Sequence, residues 1–201
     1  NSFCAGADFR SGLQRTGEGR LDAERSFAMY TAFLSLLDLE IPVVGALQGH
    51  AVGGGFGLAM VCDLRIANET AKYGANFAKL GLASGMAITD LLPRLVGVPR
   101  AMELLLTGKL ISGTQGESWG LFNRAVPADE VLPVALELAR DIAASAPIVV
   151  RMTKRSIYQN MGYDPRTAAW REAFAQAATV DTDDCKEGVA ALLEKRTPQF
   201  R

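Results

Sequence analysis

Three consecutive glycines, Gly53, Gly54 and Gly55, open an apolar run in GHAVGGGFGLAMVCD (residues 49–63), and Gly57 sits inside the first turn of the helix that follows. Glycine costs roughly 1 kcal/mol relative to alanine inside a helix, so this stretch needs a compensating reason. One reason is chemical. The first N–H groups of a helix have no intrahelical partner, and the dipole favours negative charge there. With no Cβ atoms at 53–55, a phosphate, a carboxylate or a carbonyl oxygen gaining charge can approach those groups. The other reason is packing, because bare backbone lets a strand and a helix come close. The glycines alone do not choose between the two.

A second small-residue turn, FCAGAD (3–8), follows the end of an expected strand. Two such turns on neighbouring parallel strands could supply one N–H each to the same oxygen. That is the geometry of an oxyanion hole.

The elements that must hold these turns are readable in outline. SGLQRTGEGRLDAERS (11–26) is polar and glycine-containing, and predicts a mobile loop leading into a helix near 22–38. IPVVGALQG (41–49) is a β-branched apolar run bounded by Pro42 and Gly49, and predicts a buried strand. A helix over 54–61 and a strand over 63–68 follow, the order of a crossover unit in a parallel sheet. Beyond Gly85 the pattern turns helical: AITDLLPRLVG despite Pro93, RAMELLLTG stopping on Gly108, and a short helix in TQGESWG. LFNRAVP (121–127) predicts a brief strand, and helices follow over about 129–145, 147–161, 165–180 and 184–195. Val131, Val134, Ala135, Leu138 and Ile142 share one face of the first of these. The expected organisation is an α/β part over 1–127 and a helical part over 128–201, whose apolar faces must pack on the core or on another subunit.

The chain resembles the crotonase superfamily, the enoyl-CoA hydratase/isomerase family. The matching stretches are SFCAGADFR (2–10), IPVVGALQGHAVGGGFGLAMVCDLRIA (41–67), LPRLVGVPRAMELLLTGKLISGTQGESWGLFNRAVP (92–127) and TDDCKEGVAALLEKRTPQF (182–200). The resemblance implies an α/β fold, a spiral of ββα units with a helical C-terminal trimerisation region, assembled as a homotrimer or a dimer of trimers. It also implies an acyl-CoA thioester as substrate, with CoA entering as part of it and no separate cofactor or metal. By position, the two backbone donors to the thioester oxygen are Ala7 and Gly54. The turn from Ala5 to Asp8 would meet the adenine end of CoA, Arg10 its phosphates, and Phe77 the acyl group. Lys195 and Arg196 have a surface role as the preferred reading, with CoA phosphates as the other. The family has several dozen residues before SFCAGAD, so a longer natural protein is expected.

The same resemblance marks what is missing. Two glutamates usually handle the protons of hydration, and their positions here are Gly57 and Phe77; the aspartate that related isomerases and dehalogenases use falls at Gly85. Substitutes are few. His50, Asp90, Asp63, Ser84, Asn76, Glu24 and Tyr30 are within the right segments, and none is singled out by its spacing. Phe77, Met86, Phe56 and Leu82 are expected to line an apolar acyl pocket. Three readings remain: a CoA-thioester enzyme of isomerase, lyase or hydrolase type working without the usual glutamate pair; a non-catalytic acyl-CoA-binding protein; and, placed last, a standard enoyl-CoA hydratase.

Composition bounds the alternatives. In 201 residues, 21 Lys and Arg nearly balance 22 Asp and Glu, which removes the simplest case for a nucleic-acid surface. The cysteines, Cys4, Cys62 and Cys185, are odd in number and lack metal-ligand spacing, so free thiols in a cytoplasm or organelle matrix are expected. No apolar run approaches the ~18 residues of a membrane span.

Overall fold

The computed structural model describes residues 2–7, 23–162 and 164–200, with the side chains of Glu24 and Arg25 outside that description. Most of the loop expected over 11–26 therefore lies outside the described residues. In chain order the first elements are β1 (Ser2–Cys4), α1 (Ala23–Leu34), β2 (Val44–Leu47), β3 (His50–Val52) and α2 (Gly54–Met60). Next come β4 (Leu64–Asn68), β5 (Lys72–Gly74), α3 (Ile88–Val96), α4 (Val98–Thr107) and β6 (Ile111–Ser112). Then follow α5 (Gly113–Ser118), β7 (Arg124–Val126), α6 (Val131–Ala143), α7 (Pro147–Asn160), α8 (Pro165–Ala177) and α9 (Asp183–Glu194). The chain forms two compact units, residues 1–39 with 43–136, and residues 40–42 with 137–201.

The first unit holds two sheets, ordered β1-β3-β5-β6 and β2-β4-β7. The expected crossover exists: β2 and β4 are parallel neighbours, with Val44 opposite Leu64 and Leu47 opposite Ala67. One part of the expectation is corrected. The strand that feeds the glycine turn is β3, and it belongs to the other sheet, between β1 and β5.

The reason is a pair of side chains that take over the carbonyls where β2 ends. Tyr73, fully buried, donates its hydroxyl to the Leu47 carbonyl at 2.8 Å and accepts from the Asn68 N–H at 2.9 Å. Asn68 in turn donates its side-chain amide to the Gln48 carbonyl at 3.0 Å. With these acceptors satisfied by side chains, the chain can leave the first sheet at Gln48 and Gly49 without stranding buried polar groups. Burial pushes the Tyr73 phenol up to about 12, so it remains a neutral donor. Arg65, also buried, gives its Nε to the Leu121 carbonyl at 2.9 Å and a second nitrogen to the Cys62 carbonyl, tying β4 to the segment before β7. Between these ties, α2 contributes Phe56, Ala59 and Met60 to one core with Leu92, Leu104 and Leu121. The apolar face read for α6 is observed: Val131 and Ala135 are buried, and Val134, Leu138 and Ile142 half-buried.

The second unit is helical. The buried Lys154 donates to the Ile41 carbonyl at 2.9 Å, Asp164 caps α8 by accepting from the Arg166 and Thr167 N–H groups, and Thr182 caps α9. The tail after α9 is held by Glu187, whose two oxygens accept from Arg196 at 2.6 and 2.8 Å and whose Oε1 accepts from the Gln199 N–H at 2.8 Å. Large apolar side chains remain uncovered in the single chain, including Trp170, Phe174, Leu192 and Leu193.

Two outcomes follow from these ties. Tyr73→Phe leaves the Leu47 carbonyl and the Asn68 N–H without their partner, and should lower unfolding stability by about 1–3 kcal/mol in urea titration. The Arg196 hydrogen bonds, then the Gln199 N–H, hold the Glu187 carboxyl at about 2, below its ordinary 4.5. Its anchoring is therefore complete above 4.5 and lost as pH falls through about 2. An NMR titration of the Glu187 carboxyl carbon should give that low midpoint, and Arg196→Ala should return it toward the ordinary carboxylate range.

Candidate functional site

The two small-residue turns meet. β1 and β3 are parallel neighbours, Ser2 opposite His50 and Cys4 opposite Ala51, so the segments leaving their C-terminal ends emerge side by side. Contact between them is close enough that neither tolerates a side chain. A Cβ on Gly55 would run into the Cys4 carbonyl. One on Gly6 would lie 2.9 Å from the Val52 oxygen and 3.1 Å from the Gly54 nitrogen. Gly6 and Gly53 have φ of 82° and 58°, the left-handed region in which glycine alone is unstrained. The packing reading of the glycines is therefore observed: bare backbone is what lets these segments come so close.

Backbone hydrogen bonding separates these amides by role. Gly53 donates to the Gly74 carbonyl at 3.0 Å, and its own carbonyl accepts from Phe56 and Gly57 at 3.1 and 3.2 Å. Among the described residues, the Gly54 N–H has no protein acceptor. Ala5 and Ala7 are exposed in the facing turn. Asp8 and Arg10 lie outside the described residues.

The three positions that the resemblance matches to acids are each filled by a different group. A Cβ on Gly57 would collide with the Cβ of Met86 and sit 2.9 Å from its Cγ. Met86, 3 % exposed, occupies that volume by virtue of an unusual backbone: Met86 and Ala87 have consecutive positive φ of 62° and 53°. Each such non-glycine residue costs on the order of 1–2 kcal/mol, and is retained because Met86, Ile88 and Leu92 are packed in the core. Phe77 opens a 3₁₀ turn, Phe77–Leu80, and its ring packs half-buried on the same core. Gly85 faces Tyr30 of α1, whose hydroxyl stands where a Cβ of residue 85 would be.

Three other residues considered for proton transfer, His50, Asp63 and Asp90, have structural partners. His50 accepts from the Lys72 N–H through Nδ1 at 2.8 Å. Asp63 accepts from the Val43 N–H at 2.7 Å, and the exposed Asp90 pairs with Arg94 at 2.7 Å. Asn76 brings its side-chain oxygen to 3.5 Å from the place of a Gly53 Cβ, and Ser84 is half-buried. Arg196 is taken by Glu187 and Glu194, and Lys195 is the left-handed C-cap of α9. Phe56, expected in an acyl pocket, is instead fully buried in the core, because α2 turns that side inward. Burial raises the pKa of Cys62 and makes it a packing residue. Among the described residues no group of three His, Cys, Asp or Glu is placed to hold a metal. The positions of Met86 and Tyr30 are what the sequence did not reveal, since both depend on how residues 84–87 turn.

Two sheets of short, mainly parallel strands with interleaved helices, followed by a helical C-terminal part, make up a crotonase fold. The sequence profile of the enoyl-CoA hydratase/isomerase family matches residues 1–201. A probable enoyl-CoA hydratase of Mycobacterium leprae is 37% identical over 198 residues, covering 98% of this chain and 76% of that protein. A bovine protein named enoyl-CoA hydratase domain-containing protein 2, mitochondrial, is 37% identical over 98% of this chain and 68% of its own length. The crystal structure of an enoyl-CoA hydratase from Bacillus anthracis superposes with a TM-score of 0.87 at 35% identity, covering 98% of this chain and 76% of that one. The chain belongs to the enoyl-CoA hydratase/isomerase family of the crotonase superfamily.

Gly57→Glu should be destabilising by about 2 kcal/mol or more, since it forces a carboxylate against the buried Met86. Adding Met86→Ala should recover about 1–3 kcal/mol of that loss, a coupling readable in a double-mutant cycle of denaturant midpoints.

Proposed function

We propose that this protein binds an acyl-CoA thioester with its carbonyl oxygen on the Ala7 and Gly54 N–H groups and carries out isomerase-, lyase- or hydrolase-type chemistry through an enolate or tetrahedral oxyanion. The observation that carries the reading is the packing of Cys4 and Gly6 onto the segment 52–55, beside a Gly54 amide with no acceptor among the described residues. CoA enters as part of the substrate, its adenine end along Ala5 to Asp8 and its phosphates near Arg10, with Phe77 against the acyl group. Each amide of such a hole is worth ~10²–10³ in rate, and a placed acid or base adds ~10²–10⁴. Side chains of Met86, Phe77 and Tyr30 at the three matched positions place hydration by a glutamate pair last among the readings.

A second reading, a non-catalytic acyl-CoA binder, is favoured by that same filling. The relatives bear the name enoyl-CoA hydratase, so hydration belongs in the test. Butyryl-CoA labelled with ¹³C at the carbonyl should bind with a micromolar Kd in calorimetry and show a lowered carbonyl stretch in difference infrared spectra. An unshifted carbonyl would reject the hole, and rapid hydration of crotonyl-CoA would reject the assignment of positions 57 and 77. Assembly as a homotrimer or dimer of trimers is supported by the uncovered Trp170, Phe174, Leu192 and Leu193, and light scattering of the purified protein measures it. A cytoplasm or organelle matrix suits three free thiols. Among the described residues no helix is long and apolar enough to cross a membrane.

A further inference from the structure

We propose that the cavity between α7 and α8 binds a small hydroxycarboxylate, an anion that carries a hydroxyl of its own. The cavity is built from residues of the second unit, whereas the two amide turns belong to the first, so the proposal does not rest on the thioester reading. Its volume is about 150 Å³, the size at which a protein cavity can take up a benzene-sized guest. Met152, Arg155, Ser156 and Gln159 fall at i, i+3, i+4 and i+7 of α7 and line one wall; Arg171 and Ala175, at i and i+4 of α8, line the other.

The lining selects the ligand. Two guanidiniums face the cavity, and among the described residues no carboxylate lines it. Each guanidinium is oriented by a neighbour: Arg155 by the Glu40 carboxylate, both partners more than half exposed, and Arg171 by the Gln159 side-chain oxygen at 3.3 Å. A guanidinium carries five N–H donors in a planar fork, so it can hold a neighbour and an anion together, and an exposed ion pair such as Arg155–Glu40 competes only weakly with a ligand. The Ser156 hydroxyl and the Gln159 amide nitrogen add neutral donors. One lining atom asks for the opposite. Asn160 Oδ1 is buried and has no hydrogen-bond partner among the described residues. It can only accept, and an unpaired buried acceptor is costly. A simple carboxylate would satisfy the arginines and leave Asn160 unpaired, whereas a hydroxycarboxylate offers an O–H to it as well. The apolar contribution of Met152 and Ala175 suits a ligand with a carbon frame rather than an inorganic anion.

The test uses the whole chain at constant ionic strength, with the ¹³C-labelled methyl groups of Met152 and Ala175 as NMR reporters inside the cavity. The probes are lactate, propionate, which keeps the carbon frame and lacks the hydroxyl, and hydrogenphosphate. Lactate should shift both methyls with a millimolar Kd, and propionate should bind about tenfold more weakly, the worth of one hydrogen bond. Asn160→Leu should bring lactate down to the affinity of propionate while propionate itself changes less than about twofold, a loss of preference that a merely structural role would not produce. Arg171→Gln should weaken both carboxylates about tenfold or more. If either variant fails to fold, the comparison of lactate with propionate on the unsubstituted protein decides alone. Equal binding of lactate and propionate overturns the proposal, as does hydrogenphosphate binding more tightly than lactate. A cavity whose methyls respond to none of the three holds water only, and the proposal fails.

Discussion

The close approach of two backbones, Cys4 to Gly6 against Val52 to Gly55, is the constraint on which the rest of the first unit depends. A carbonyl sits where the Cβ of residue 55 would be, so the contact exists only because that atom is absent. The strand pairing β1-β3-β5 brings the two turns together, and the core beneath α2 holds the second of them in place. The apparent propensity penalty of the glycine run is therefore local. At the level of packing the same residues make the contact possible.

Electrostatics around the turns is as informative as their shape. No carboxylate occupies 57, 77 or 85, and what fills those volumes is a thioether, an aromatic ring and a phenol. On the proposed reading, neutral groups at these three positions leave the amide dipoles unopposed by a carboxylate there. They also weaken every reaction that begins with proton abstraction. On the same reading, neutral groups in place of acids change which step could be assisted and leave the two amides in place.

Much of this arrangement was legible in the sequence. The β2, α2 and β4 segments appear within a few residues of where composition puts them, the face of α6 follows its apolar spacing, and FCAGAD and GGGFG mark the turns that meet. The division into two sheets was not legible, because it depends on Tyr73 reaching Leu47 and Asn68 reaching Gln48, 26 and 20 residues away. β5 and β6, three and two residues long, are too short to show a period. The left-handed pair Met86–Ala87 hides for another reason: such backbone is normally announced by glycine or asparagine, and neither occupies those positions. Tyr30 was visible as a residue but not as a neighbour of Gly85, since that depends on where α1 lies.

The hydrogen bond from the Gly53 N–H to the Gly74 carbonyl has a mechanical meaning. It fastens the start of α2 to the end of β5, three residues before Phe77, so the amide turn and the wall bearing that ring share one strut. A turn braced in this way has little conformational freedom left to lose, so a guest bound there would spend little affinity on ordering it. On the proposed reading, selection among acyl chains would then come from rigid fit rather than from adjustment of the turn to its guest.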